Sequence, residues 1–443
     1  MAVETDSEDT LFSAEDSLQE LAALARTAGA EVVGMMAQRL QSPHPVHYVG
    51  KGRAEELRRL RDELGFDLII VDDELTPAQQ RGLERITDTR VIDRTALILD
   101  IFAQHAHTRE GQLQVELAQL EYRLPRLAGS GRGNLSRLGG GSRGAAGVGG
   151  AIGARGPGET KLEIDRRRIR SRIAALRREL EEVRERRTLK RRQRVARAIP
   201  VVAIVGYTNA GKSTLLNALT GATVRAEHKL FATLDTTTRK LELPAGREVL
   251  LTDTVGFIQK LPTDLVAAFR ATLEEVTEAD LIVEVLDVSS PAVEEQASTV
   301  ESVLADLGAA GKPRVVAMNK VDLLGPASRR RAIASLSARY PDAVAISATK
   351  ETGFQELMEA IDRASRGDAM NVELLVPYGS EGVLAEMRRI GSVERTEYSD
   401  TGTRAWGWVP RYAAGRFEAY SAAAASRTSG SRRAPRRQGS RSS

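Results

Sequence analysis

The amino-acid sequence predicts a multidomain α/β protein: a small parallel α/β N-terminal domain, an antiparallel helical hairpin with a glycine-rich tip, a larger P-loop α/β domain and a small α+β C-terminal domain. Three observations carry that prediction. Apolar strand patterns alternate with helical ones up to about residue 107, the mark of βαβ units and a parallel sheet. Two thin apolar seams at heptad spacing flank a stretch with 13 glycines between Ala128 and Gly158, and seams too narrow to be buried alone pair with one another. Gly206-x-x-x-x-Gly211-Lys212-Ser213 stands between an apolar run and a helical pattern, the context a phosphate-binding loop requires.

Composition sets the limits. With 42% hydrophobic residues in 443, the chain can bury several cores. The absence of cysteine excludes disulfides and thiolate metal sites. The start is acidic and lacks the apolar core of a signal peptide, and no run approaches the ~18 apolar residues of a membrane span. A cytoplasmic protein is expected, with peripheral membrane association left open. The last 17 residues, from Arg427, carry six arginines and no acid, and without them the net charge falls from +4 to −2. Residues 421–443 thus read as a disordered basic tail, either merely solubilising or an anchor for a polyanion.

Residues 1–30 are acidic and read as disordered. The N-terminal domain spans 31–107. "EVVGMM" reads as a strand. "HYVGKGRAEELRRLRDELGFDLIIVDDELTPAQQRGLERI" reads as a strand end, a helix, a buried strand from Leu68 to Val71 and another helix. "RVIDRTALILDIFAQHA" adds a short strand and a helix. Asp72 and Asp73 follow a strand's carboxyl end, where open α/β sheets bind ligands. The simpler reading is that they are turn residues ahead of a helix.

Residues 108–198 form the predicted hairpin. Leu113, Leu117, Leu120 and Leu124 make one seam, which Pro125 is expected to end. Ile169, Ile173, Leu176, Leu180 and Val183 make the second, on a helix expected to start at the capping-box pair Thr160 and Glu163. The tip, 128–158, is far longer than the about 2–8 residues a helix–helix connection needs. It contains Arg132, Arg137, Arg143 and Arg155 and no acid. Arginine among glycines suits close approach to phosphates and stacking on bases, so these four are candidate RNA contacts. A passive loop is the alternative.

The P-loop domain spans 199–366. In Gly206, Tyr207, Thr208, Asn209, Ala210, Gly211, Lys212 and Ser213 the glycines let backbone N–H groups curl around phosphates. Lys212 places a charge on the β/γ oxygens, and the Ser213 hydroxyl suits Mg2+. Asp253, Thr254, Val255 and Gly256 end a second apolar strand; Asp253 suits the outer magnesium shell and the Gly256 N–H the γ-phosphate. Asn319, Lys320, Val321 and Asp322 end a further strand. A carboxylate at 322 accepts from both guanine N1–H and N2–H₂, which adenine lacks, so GTP is the predicted nucleotide and 199–366 is expected to be a Ras-like P-loop GTPase domain. Ser347, Ala348 and Thr349 offer backbone to guanine O6. A switch threonine must complete the magnesium shell, and composition alone leaves Thr233, Thr236, Thr237 and Thr238. A Ras-like enzyme orients water with glutamine just after Asp-x-x-Gly; here that residue is Phe257, so no catalytic group is assigned and slow intrinsic hydrolysis is expected. Asn209 is a candidate K+ site near the β/γ bridge, where a cation offsets developing charge.

The domain at 367–420 reads as strand, helix, two strands joined at "YSDTG", and helix. Trp406 and Trp408 alternate with Gly407, so both face one side.

The segments "YVGKGRAEEL", "DELTPAQQRGLE", "DRTALILDIFAQHAHTREGQLQVELAQLEYRLPRL", "RGPGETKLEIDRRRIRSRI", "GYTNAGKSTLLNALTGA", "LFATLDTTTR" and "LLTDTVGFIQKLP" resemble HflX, a bacterial ribosome-associated GTPase family, over about His47 to Arg366. The resemblance implies a GTPase that binds the large (50S) ribosomal subunit and acts in ribosome splitting, rescue or recycling. It implies a hairpin tip that reaches ribosomal RNA, and a chain that is monomeric off the ribosome. By the same matching Thr233 is the switch magnesium ligand, and Phe231, Ala232, Thr233, Leu234 and Asp235 line the nucleotide. The alternative is a ribosome biogenesis or hibernation factor that uses GTP as a binding latch. A second nucleotide site in the N-terminal domain has no phosphate loop to support it.

Overall fold

A computed structural model describes residues 1–4, 12–127, 157–195, 199–221, 230–231, 237–244, 246–260, 270–366 and 369–421. Among them no helix is long and apolar enough to cross a membrane.

Residues 1–4 and 12–30 of the acidic start are not the disordered arm that composition suggests, and residues 5–11 lie outside the described residues. Strand β1 (Ala2–Glu4) pairs in parallel with β2 (Ala37–Arg39), and helix α1 spans Ala14–Thr27. Ser13 caps α1 by accepting from the Asp16 N–H, and Glu15 and Asp16 occupy the first turn. There their charge complements the helix dipole. Leu18, Leu21, Ala22 and Ala25 form a buried face at helical spacing. The predicted "EVVGMM" strand does not form; pairing begins one residue later, at Ala37. "HYV" makes a turn, closed by backbone pairing of His44 with Tyr48.

Helix α2 (Lys51–Leu64), strand β3 (Leu68–Val71), helix α3 (Pro77–Thr87), strand β4 (Arg90–Asp93) and helix α4 (Arg94–His105) come next. β3 and β4 are parallel, as the alternating pattern requires. Backbone bonds from the Asp72 N–H to Met1 O (2.9 Å) and from the Met1 amine to Ile70 O (2.7 Å) join the two strand pairs.

The hairpin is α5 (Arg109–Arg126) against α6 (Pro157–Val195). Leu113, Leu117, Ile173 and Leu176 form its buried seam, with Leu120, Leu124, Ile169 and Leu180 partly buried against it. Ion pairs Arg109–Glu179 and Glu116–Arg172 run in opposite chain directions along the helices, which makes the pair antiparallel. Two expected boundaries move. Pro125 lies inside the last turn of α5, and α6 begins at Pro157 rather than at Thr160. Proline with its fixed φ suits the first helical position. Arg132, Arg137, Arg143 and Arg155 lie outside the described residues.

The third unit is a six-stranded sheet, with order β10-β9-β8-β5-β7-β6. Its strands are β5 (Val201–Gly206), β6 (Thr237–Glu242), β7 (Glu248–Asp253), β8 (Leu281–Asp287), β9 (Arg314–Asn319) and β10 (Val344–Ala345). Of these six, β6 alone is antiparallel, paired with β7. Helices α7 (Lys212–Thr220) and α11 (Phe354–Ser365) cover one face through Leu215, Leu216, Leu357 and Ile361. On the other face, α8 (Arg270–Glu278) and α9 (Val293–Asp306) share a single buried cluster with α1, α4 and α5. The N-terminal domain and the nucleotide-binding sheet are therefore packed on one core. Helix α10 (Pro326–Arg339) packs near the β9 edge, where Leu336 joins Met318 and Leu286.

The last unit has strand β11 (Ala369–Val376), helix α12 (Gly382–Ile390) and strands β12 (Ser392–Ser399) and β13 (Gly402–Pro410), in antiparallel order β11-β13-β12. The expected final helix is replaced by two 3₁₀ turns, Arg411–Arg416 and Glu418–Tyr420. Trp406 and Trp408 share a face, as their alternation predicts. Trp408 is buried beneath the guanidiniums of Arg247 and Arg366, 4.6 and 5.1 Å from its ring centre. Arg247 is itself buried and bonded to Asp362 (2.6 Å), so these groups fasten the last unit to the central one.

Candidate nucleotide site

Each predicted motif that is described lies at the carboxyl end of a strand in one sheet. The loop after β5 turns into α7 at Gly211, whose φ is +98°. A Cβ there would stand 2.3 Å from Asn319 Nδ2, so only glycine lets the loop pass beneath the next motif. Asn209 takes a positive φ of 60°, which asparagine tolerates better than most residues, and its side chain is exposed.

Lys212 is buried and donates to Gly206 O (3.2 Å) and Tyr207 O (2.8 Å). Its Nζ is thus held inside the loop, facing the space the backbone encloses. Burial pushes its pKa down to about 8, opposed by the carboxylate of Asp253. Ser213 Oγ donates to Asp253 Oδ2 (2.7 Å). A hydroxyl and a carboxylate side by side are hard oxygen donors of the kind Mg2+ takes. Thr254 donates to Ile204 O (2.7 Å) and so points into the sheet.

Gly256 lies directly on the loop. A Cβ on it would meet Thr208 Cα at 2.9 Å and Lys212 Nζ at 3.0 Å. The next residue is zipped to the loop through its backbone: the Phe257 N–H donates to Gly206 O (3.1 Å) and the Thr208 N–H to Phe257 O (2.8 Å). The Phe257 side chain is buried in the shared core, so it lies away from any water at the phosphates.

On the base side, Asn319 Nδ2 donates to Ala210 O (2.8 Å), while its Oδ1 accepts from the Ala348 N–H (3.0 Å). One side chain ties three motifs together. Asp322 accepts from Ser347 Oγ (2.6 Å), and that bond holds its carboxyl below the usual range. Val321 is buried, and Thr349 lies beside the same carboxylate. Lys320 takes φ +64° and pairs with Asp287 (2.7 Å), a partner that no motif in the sequence marks.

Of the switch residues, Phe231 is described. It has φ +57° and packs edge-to-face on Phe102 of α4, with ring centres 4.7 Å apart. Ala232, Thr233, Leu234, Asp235 and Thr236 lie outside the described residues. Thr237 and Thr238 belong to β6, and Thr238 shares a hydrogen bond with Thr252 in the sheet.

Three family models cover most of this architecture in order: a GTP-binding GTPase N-terminal model over residues 15–103, a GTP-binding GTPase middle region over 105–194, and a 50S ribosome-binding GTPase model over 201–320. The chain is 52% identical over 390 residues to GTPase HflX of Caldanaerobacter subterraneus subsp. tengcongensis, covering 88% of this chain and 86% of that one. The chain belongs to the HflX family of GTPases. GTPase HflX of Escherichia coli K12 is 40% identical, with 88% of each chain covered. A GTP-binding protein of the archaeon Sulfolobus solfataricus, solved in complex with GDP, aligns at 24% identity with a TM-score of 0.41, over 82% of this chain and 97% of that one. As an HflX-family member the chain is a GTP-binding GTP hydrolase.

The strand-end pair Asp72 and Asp73 is more than a bare turn, because it holds Lys260. Asp72 is fully buried and accepts from Lys260 Nζ (2.7 Å), which also reaches Asp73 (2.6 Å). Lys260 lies four residues beyond Gly256, so the acidic pair of the N-terminal domain receives the segment that leaves the γ-phosphate motif. Sequence order separates these partners by 187 and 188 residues, and no local pattern signals them.

Proposed function

We propose that this HflX-family GTPase binds the large (50S) ribosomal subunit and acts in ribosome splitting, rescue or recycling, with GTP controlling association and the ribosome stimulating hydrolysis. The observation that carries the reading is the shared core. Val115 and Ala118 of the hairpin helix α5, Phe102 of α4, Phe231 ahead of the switch threonine and Phe257 after Gly256 all belong to one buried cluster. A change at the phosphates is thereby linked mechanically to the root of the stalk that carries the Gly/Arg-rich tip. The description of the family model over 201–320 supports a ribosomal partner.

In this reading residues 206–213 cradle the phosphates and Lys212 neutralises them. Ser213 and Thr233 hold Mg2+, which would offset charge on the β- and γ-oxygens. Gly256 donates to the γ-phosphate, and residues 231–235 line the nucleotide. Asp322 selects guanine, supported by Asn319, Lys320, Val321 and residues 347–349. Asn209, whose side chain is exposed, is the residue that takes K+ in this reading. The protein works as a monomer off the ribosome, and Arg132, Arg137, Arg143 and Arg155 contact ribosomal RNA.

The test is GTP turnover with and without purified 50S subunits, for the intact chain and for a variant with Gly129 to Gly158 replaced by a short turn. Strong stimulation that the short-tip variant loses is the expected result, together with splitting of intact 70S particles. Stimulation by 50S without splitting would favour the latch reading. No stimulation by any ribosomal particle would end the ribosomal one.

A further inference from the structure

The hydroxyl of Tyr207 joins three parts of the molecule. Tyr207 is the second residue of the phosphate loop and is 4% exposed. Its hydroxyl donates to Glu20 Oε1 on α1 (2.5 Å) and accepts from the Gln259 N–H (3.0 Å). One oxygen thus touches the loop, the segment after Gly256 and the N-terminal domain.

The contact is part of a closed circuit. Glu20 pairs with Arg94, and Arg94 Nη1 donates to Asp72 Oδ1 (2.6 Å). Asp72 Oδ2 accepts from Ser17 Oγ (2.6 Å) and from Lys260 Nζ (2.7 Å). Ser17 Oγ accepts in turn from Gln259 Nε2 (3.0 Å), which returns to the segment held by Tyr207. Burial, reinforced by Glu20, keeps the phenol protonated, so it remains a donor to Glu20 across the range in which the protein works.

The circuit bears on hydrolysis through the residues just after Gly256. Phe257 is buried and cannot orient water, so the geometry beside the γ-phosphate rests on the backbone of residues 256–260. That segment is held at three places: the Phe257 backbone by the loop, the Gln259 N–H by the Tyr207 hydroxyl, and the Lys260 ammonium by Asp72 and Asp73. Lys260 takes φ +52° at this point, a conformation non-glycine residues adopt only when their surroundings hold it. The Gln259 N–H is buried, and a buried donor that loses its acceptor drives its backbone to move.

We propose that Tyr207 is a positioning residue for GTP hydrolysis, and that Glu20 of the N-terminal domain orients its hydroxyl, so that the domain completes the γ-phosphate side of the site in cis.

The test compares Tyr207→Phe, Glu20→Ala, Glu20→Gln and the double variant Tyr207→Phe/Glu20→Ala in the full-length protein. Single-turnover GTP hydrolysis, GDP affinity and thermal unfolding are measured for each. Tyr207→Phe keeps the ring and its stacking on Phe12 (6.2 Å between centres), and is expected to slow hydrolysis about tenfold with GDP affinity within about twofold of the parent. Glu20→Ala should match it, Glu20→Gln should recover most of the rate because an acceptor remains, and the double variant should be no slower than either single one. Hydrolysis by Tyr207→Phe within about twofold of the parent would overturn the proposal. So would a parallel fall in GDP affinity, or losses that simply add in the double variant. If Glu20→Ala fails to fold, Tyr207→Phe and Glu20→Gln decide the question alone.

Discussion

Lys212 shows how burial sets the working range of a single charge. The ammonium is the form that phosphates bind, and in the free protein burial brings its pKa down to about 8. Bound phosphate raises that value, so nucleotide affinity should be level below pH 8. Above it, affinity should fall by up to about tenfold per unit, as the free protein loses a proton that the complex retains. Titrations with GDP from pH 6.5 to 9.5 check this, and a level affinity up to pH 9.5 would show that the amine stays charged without ligand. The residues around Lys212 were legible in the sequence because the phosphate loop, Asp-x-x-Gly and Asn-Lys-x-Asp each place their chemistry within a few positions. Glu20, Ser17 and Asp287 were not. Each acts on a residue from another motif or domain, and nothing near them in the chain marks that role.

Among the elements, the hairpin was the most predictable and the amino-terminal helix the least. A heptad seam announces its own partner, and the second seam supplied it. Helix α1 is hidden because acids in a first turn behind a serine cap have the same composition as a disordered acidic arm. Only the periodic Leu18, Leu21, Ala22 and Ala25 face betrays it. The hairpin seam is thin and separate from the core beneath the nucleotide site. Leu176→Ala, at a fully buried position, should therefore cost about 2–5 kcal/mol locally and leave GDP binding intact. Hydrogen exchange should quicken along α5 and α6 and stay slow in β5 and α7. Equal acceleration in both regions would mean that the seam and the nucleotide sheet unfold as one unit.

For the whole molecule, the strand alternation and the phosphate loop implied separate α/β units, and so they are in topology. Sequence pattern could not tell that the first unit and the GTPase sheet share a core, since a buried face looks the same whichever partner covers it. Phe102→Ala removes the N-terminal domain's ring contact with Phe231 and should destabilise the protein by about 3–5 kcal/mol. The two units should unfold in one calorimetric transition that GDP shifts upward as a whole. Two resolved transitions in the parent protein, with only one responding to GDP, would contradict a common core.

The circuit through Tyr207 also has a meaning in time. A growing chain presents Ser17, Glu20, Asp72 and Arg94 long before Tyr207, Gln259 and Lys260 exist. At about 5–20 residues per second, the interval between residue 72 and residue 260 is roughly ten to forty seconds. Through that wait Arg94, the partner of both Glu20 and Asp72 in the finished fold, is already in the chain. Lys260 then arrives as the last cation to dock. The order of synthesis therefore makes the segment after Gly256 the last part of the circuit to be supplied.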